Sequence, residues 1–300
     1  MSTEKKLICQ IGGGLGNQLF TYAAAYSIAK RNNAKLFIDR SYGFYFDKEY
    51  SRNYLLDRFN LDCESFSLNK YLINYERIKR KINLYLNKKR EFFKRNLIFQ
   101  ESLDFDKRLN SFQWKKGSIY LTGYWQSYKY FVDYEQDIKS QFKLKSINSI
   151  ESNSEFIKNI NSNFCCVHIR FFDNDLDDFK SSYMYSYYKK AVLYFIEKLK
   201  NPNFVIFSND KNKANKIFSS FKINRYIFNS FKFDSDETIS DFYLMKKFSN
   251  YIISNSSFSW WAAWLSEAKN KKVVCPGLIS YENIGAWGFK GHLPKDWERL

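Results

Sequence analysis

Residues 7–18 read Leu-Ile-Cys-Gln-Ile-Gly-Gly-Gly-Leu-Gly-Asn-Gln, and this stretch decides the class of fold. Leu7–Ile11 is a short apolar run of strand length, and a glycine loop follows over Gly12–Gly16. From Gln18 to Asn33, Leu19, Tyr22, Ala23, Tyr26 and Ala29 recur at helical spacing. Lys35–Asp39 then reads as a second strand. Strand, glycine turn, helix and strand in this order predict a βαβ unit with parallel pairing.

The same alternation returns after residue 164. Strand-like runs fall at Cys165–Phe171, Phe204–Ser208, Arg225–Phe228, Tyr251–Ser254 and Lys272–Cys275. Helical patterns fill the gaps at Met184–Leu199, Asn212–Ser219, Thr238–Phe248 and Phe258–Lys269. Short strands separated by helices predict a parallel sheet covered on both faces, with ligands at the carboxyl ends of its strands. Between the two regions the pattern from 41 to 145 is less legible, although Lys70–Asn96 looks helical. Ser146–Asn163, rich in Ser and Asn, is the best interdomain linker. The expectation is an α/β chain of two Rossmann-like domains facing a cleft, residues 1–150 carrying a helical and aromatic insertion and residues 151–300 forming the second domain.

Composition bounds the function classes. The chain has 300 residues, 45% of them hydrophobic, enough for a sizeable core. Its aromatic share of 20%, mostly Phe and Tyr, suits either a packed core or a sugar-binding cleft. No leader peptide is expected at the start, and no apolar run is long enough to cross a bilayer. Five scattered cysteines (Cys9, Cys63, Cys165, Cys166, Cys275) read as buried thiols of a reducing compartment, so a cytoplasmic location is expected. With His168 and His292 as the only histidines and no C-x-x-C, a zinc cluster has no ligand set. The net charge of +17 fits a lysine-rich solvated surface, attraction to an anionic membrane or pyrophosphate-linked substrate, or nucleic-acid binding. The aromatics follow helix and strand faces instead of a basic groove, so nucleic acid is not expected as a partner. Lys70–Asn96 is either an ordinary surface helix or a basic face lying against a membrane.

Three motifs can carry chemistry. The loop Gly12–Gly16 opens a helix, where the backbone can approach a ligand and present N–H groups to polar oxygens; the competing reading is a tight turn without a ligand. It fails as a G-x-G-x-x-G dinucleotide fingerprint, because the sixth position is Asn17 from Gly12 and Leu19 from Gly14. Only Asp39, at the end of the second strand, keeps a nicotinamide-dependent oxidoreductase open as an alternative. The second motif is Val167-His168-Ile169-Arg170-Phe171-Phe172-Asp173, in which His168 and Arg170 share one face of an extended strand. A guanidinium there suits phosphate oxygens, while the plainer reading is a core histidine and an arginine paired with Asp173. The third is Ser254-Asn255-Ser256-Ser257-Phe258-Ser259-Trp260-Trp261, where serines between strand and helix serve as caps and can donate to phosphate. Trp260 and Trp264 share a helix face and fit core packing. Asp241, placed in the first turn of the preceding helix, is either a dipole partner or an acceptor for a base such as guanine.

These motifs resemble those of the α-1,2-fucosyltransferase family. Residues 13–26, with Gly-Gly-Leu-Gly-Asn-Gln-Leu-Phe and a Tyr- and Ala-rich helix, are similar to that family's opening. Gly123-Tyr124-Trp125-Gln126-Ser127 resembles its G-Y-W-Q-S stretch, Ser256–Leu265 its third motif almost residue for residue, and Pro294–Trp297 its ending. The resemblance implies a GT-B fold and an inverting, metal-independent transfer of fucose from GDP-fucose to an oligosaccharide or glycolipid hydroxyl, the 2-OH of a terminal galactose. It implies a donor-binding C-terminal domain in which Arg170 meets the β-phosphate, His168 lies by the nucleotide, Asp241 reads guanine, and Ser256, Ser257 and Phe258 surround the phosphates. Gly14 and Asn17 are expected beside the reacting sugar, Trp125 and Gln126 on the acceptor side. Asp173, the nearest acid to Arg170, is expected either as base or as its orienting partner. The family's H-x-R-R-x-D has a second arginine where this chain has Phe171, which points to weaker donor binding, another GDP-6-deoxyhexose, or a compensating lysine. No cofactor and no metal are expected, and peripheral contact with the inner membrane face through Lys70–Asn96 stays open beside the plainer reading of a surface helix.

Overall fold

The computed structural model describes residues 4–145, 155–172, 182–227, 236–282 and 285–300. The chain divides into two compact units, one of residues 1–145 with 290–292 and one of residues 146–289 with 293–300.

The first unit opens with β1 (Lys5–Gly12), α1 (Leu15–Arg31) and β2 (Lys35–Arg40). In β1 the side chains of Leu7, Cys9 and Ile11 are buried on one face, the period-2 pattern of a pleated strand. Helix α1 is apolar on nearly all sides, as befits a helix sunk in a core; between Leu15 and Ala29 only Asn17 is not fully buried. It stops where Asn33 turns left-handed (φ +50°) and Ala34 N–H donates to Ala29 O. There follow α2 (Ser41–Tyr45), β3 (Glu64–Phe66), α3 (Lys70–Lys88), β4 (Leu97–Phe99), α4 (Lys107–Asn110), β5 (Gly117–Thr122) and α5 (Glu135–Gln141). The strand order is β3-β2-β1-β5-β4, all parallel. β3 and β4 span three residues each, too few for a period, and in β5 the buried Ile119 and Leu121 flank an exposed position held by the aromatic Tyr120, which masks the alternation. Helix α3 ends at Lys88, short of Asn96: Asn87 is buried and its Oδ1 accepts from the N–H of Asn96 and Leu97, turning the chain.

The second unit holds α6 (Glu155–Asn159), β6 (Phe164–Ile169), α7 (Tyr183–Lys198), β7 (Asn203–Ser208), α8 (Lys211–Phe218), β8 (Asn224–Ile227), α9 (Glu237–Met245), β9 (Asn250–Ile252), α10 (Ser257–Trp264), β10 (Lys272–Cys275) and β11 (Glu298–Arg299). Part of the expected linker is thus helical, and its residues 146–154 lie outside the described residues. All six strands pair in parallel in the order β8-β7-β6-β9-β10-β11. Numbered within the unit this is 3-2-1-4-5-6, the doubly wound order. Central β6 is buried on both faces, which is why it reads as an unbroken apolar run. Trp260 stacks on Trp264 with centroids 6.0 Å apart and packs on Trp297, so the tryptophans are core residues. All five cysteines are free thiols.

Candidate active site

In the second unit the strand order reverses between β6 and β9, and sheets of this kind take ligands at the carboxyl ends flanking such a reversal. β6 delivers His168 to this point and β9 is followed by Ser254. Nδ1 of His168 lies 2.8 Å from Ser254 Oγ, and Tyr188 O–H donates to the His168 carbonyl over 2.9 Å. The Phe258 ring covers the imidazole, 5.5 Å between centroids. Burial, reinforced by the positive charge of Arg170, pushes the His168 pKa down to about 3, so the ring is neutral at working pH. Ser254 opens the third motif, but nothing in the sequence pairs it with His168. Its partner is 86 positions away, and only the pairing of β6 with β9 brings them together.

Arg170 is half-buried just beyond β6, its guanidinium 5.7 Å from the Phe172 ring centroid. Phe172 packs on Gly285, which has φ +78° and where a Cβ would come within 2.8 Å of the ring. A glycine is therefore needed beside the arginine's platform. Phe171 points the other way, into the apolar cluster with Val167, Ile169 and Tyr188. Asn209 clamps its backbone, accepting from Phe171 N–H and donating to its carbonyl, 3.0 Å each. Lys213 Nζ sits over the Phe171 ring, 4.6 Å from its centroid. Asp173 lies outside the described residues.

Helix α10 starts at this junction. Ser256 is its N-cap, its Oγ accepting from Phe258 N–H, and Ser257 is the first helical residue. The Ser256 hydroxyl proton is left for another acceptor. Asn255 donates to Gly285 O over 3.0 Å, while its buried Oδ1 finds no hydrogen-bond partner among the described residues. Asp241 is half-buried and lies in the second turn of α9, not the first as expected, because the N-cap is Asp236. That moves it beyond the reach of a first-turn dipole effect.

The first unit has its own reversal, between β1 and β5. Gly12 is forced by backbone packing, since a Cβ there would stand 2.9 Å from Gly43 Cα. Gly13 has φ +75° and Gly14 caps α1 with no side-chain hydrogen bond. Asn17, the half-open residue of α1, accepts from Gln126 Nε2 over 2.7 Å. The turn that presents Gln126 is strained: Gly123 has φ +129° and Trp125 φ +51°, unusual for a bulky side chain. Gln100 holds it by accepting from the N–H groups of Tyr124 and Trp125. Trp125 is 1% exposed and edge-on to Tyr130, so it supports the turn; Tyr124, 41% exposed, and part of Gln126 form its surface. Asp39 is buried, ion-paired with Arg80, and accepts from Ser41 N–H, so the residue that kept the oxidoreductase alternative open is committed to the fold. No group of three His, Cys, Asp or Glu suited to a metal comes together among the described residues.

Known proteins match this chain along most of its length. The family model described as "Glycosyl transferase family 11" matches residues 6–283. An alpha-1,2-colitosyltransferase of Escherichia coli is 31% identical over 274 residues, covering 86% of this chain and 87% of that protein. The O-antigen biosynthesis glycosyltransferase WbnK of Escherichia coli is 29% identical over 293 residues, 89% and 92% of the two chains. Among solved structures, NodZ alpha-1,6-fucosyltransferase soaked with GDP-fucose superposes with a TM-score of 0.52 at 16% identity, over 89% of this chain and 97% of that one. Fucosyltransferase NodZ from Bradyrhizobium gives 0.51 at 15%, over 87% and 93%. With two parallel α/β units of the GT-B fold and a family match from residue 6 to 283, the chain belongs to glycosyl transferase family 11 and is a glycosyltransferase.

Proposed function

We propose that this enzyme transfers L-fucose from GDP-fucose, with inversion and without a metal ion, to the 2-hydroxyl of a terminal galactose on an oligosaccharide or glycolipid. The observation that carries the reading is the junction of β6 and β9, where Arg170, the His168–Ser254 pair and the serine-capped start of α10 converge.

Cleaving the bond from sugar to GDP places negative charge on the leaving β-phosphate while the sugar ring becomes cationic. Arg170 and the N–H groups of the first turn of α10 favour that separation, Ser256 and Ser257 adding hydroxyl donors. A neutral His168 gives the nucleotide a hydrogen-bonding edge and leaves Arg170 as the adjoining cation. Asp241 accepts from the guanine, and the buried Oδ1 of Asn255 offers a further acceptor. Gly14 and Asn17 attend the reacting sugar, Gln126 the acceptor with Trp125 behind it, and Asp173 takes the acceptor proton. A cytoplasmic location is supported by the five free thiols.

A second reading, another GDP-6-deoxyhexose as donor, is favoured by Phe171 and by the colitosyltransferase relative. Fucose and colitose differ by one hydroxyl, at carbon 3. Incubation with several GDP-sugars and a panel of β-galactosides, read by mass spectrometry with and without EDTA, tests both readings. A fucosylated product formed equally well in EDTA is expected. Transfer from another donor alone would replace fucose, and loss of activity restored by magnesium would refute the metal-free mechanism.

A further inference from the structure

Helix α3 lies on the first unit by one face only. Ile73 and Asn87 are buried, Leu84 is half-buried, and Arg80 reaches in to Asp39 and to Gln10 Oε1. On the opposite face Tyr71, Tyr75, Ile78, Ile82, Tyr85 and Leu86 fall within an arc of roughly 100°. They stand out in solvent, Ile78 at 63% and Ile82 at 56% exposure. Water-facing isoleucines in a row along an otherwise polar helix have no structural use in the unit itself.

The charges beside the ridge are almost all positive. Lys81 and Lys88 line one side and Lys79 the other, with Lys89, Arg90 and Lys94 following, while the Arg77 guanidinium turns onto Phe46, 5.0 Å from its ring centroid. Of the acids, Glu76 is paired with Lys79 and Glu91 with Lys94. Lys89 Nζ lies over the Tyr85 ring at 4.4 Å and Lys79 Nζ over Tyr75 at 5.3 Å. Tyrosines and long cationic side chains at the rim of an aliphatic ridge match the layering of a bilayer surface, with anionic headgroups outside and acyl chains beneath. A second copy of the chain is a poorer occupant, because two surfaces of a protein carrying +17 would repel each other.

We infer that α3 is a membrane-binding helix, its Tyr71–Leu86 ridge entering the interface of an anionic bilayer while the flanking lysines hold the headgroups. The inference rests on α3 alone and holds whichever sugar the enzyme transfers.

Sedimentation of the full-length protein with vesicles tests it. The protein is expected to pellet with phosphatidylcholine vesicles containing phosphatidylglycerol and to stay in solution with phosphatidylcholine alone. Ile78→Glu/Ile82→Glu should abolish binding. Lys81→Gln/Lys88→Gln/Lys89→Gln should weaken it about 100-fold, from about one kcal/mol per basic residue near the surface. Both variants should keep the wild-type circular dichroism spectrum and melting temperature, since neither touches the packed face. Failure to bind anionic vesicles, equal binding to both vesicle types, or undiminished binding by the isoleucine variant would each overturn the inference. A wild-type dimer in sedimentation equilibrium that the isoleucine variant dissolves would do so as well, assigning the ridge to self-association.

Discussion

Ser254 Oγ lies 2.8 Å from Nδ1 of His168, joining residues 86 positions apart across the carboxyl ends of two paired parallel strands. The contact fixes the imidazole at the one place in the second sheet where the topology opens for a ligand, and burial keeps that ring uncharged. Around it stand Arg170, the serine-led helix start and Asn255, on which the proposed mechanism depends.

His168 is predicted to stay neutral well into acid. The free side chain protonates near its ordinary 6.5, the folded one only at about 3. The unfolded chain therefore binds the extra proton first, so the contribution of His168 to stability is fully present above about pH 6.5 and is lost as pH falls toward 3. With two histidines in the chain, an NMR titration can follow it directly. His168→Gln should flatten the fall in unfolding free energy between about pH 6.5 and about pH 4.5, measured by chemical denaturation.

Arg170→Ala is predicted to lower kcat on the order of 100- to 1,000-fold, the usual loss of one preorganised charge donor. The guanidinium rests on Phe172 beyond the end of β6, so the far-UV circular dichroism spectrum should not change. Wild-type turnover in this variant would remove the role assigned to Arg170.

The two units differ in how far they can be read from the sequence. The opening βαβ unit, the strands of the second sheet and the three motifs are visible in the sequence because buried parallel strands are continuous apolar runs. β3, β4 and β5 are not, since three-residue strands are too short for a period and Tyr120, an aromatic on the exposed face of β5, hides the alternation with Ile119 and Leu121. Asn209, and the pairing of the motif's Ser254 with His168, are not legible because ordinary polar residues acquire such roles from strand order, which no local spacing encodes. Phe171 shows the same limit: its burial beneath Lys213, in the cluster it shares with residues of β6, α7 and α8, is a tertiary fact.

Asn17 and Gln126 are predicted to act as one unit, because Gln126 Nε2 donates to Asn17 Oδ1 over 2.7 Å. In a double-mutant cycle of Asn17→Ala and Gln126→Ala read in kcat/KM, the two losses should not add, with a coupling of about 0.5–3 kcal/mol. Additive losses would separate the glycine loop from the turn after β5.

Asp241→Ala is predicted to raise the KM for the nucleotide sugar at least tenfold and to leave the KM for the acceptor unchanged. Charge-assisted hydrogen bonds contribute about 1.5–3 kcal/mol, and each 1.4 kcal/mol is a factor of ten. Steady-state kinetics with each substrate varied in turn would check it, and an unchanged donor KM would count against guanine recognition.

The most direct test of the account is a crystal structure of the enzyme with GDP bound. The diphosphate should lie within hydrogen-bonding distance of the Arg170 guanidinium and the first turn of α10, beside the His168–Ser254 pair. A diphosphate bound instead at the glycine loop Gly12–Gly16, with Arg170 turned away from the phosphorus atoms, would contradict it.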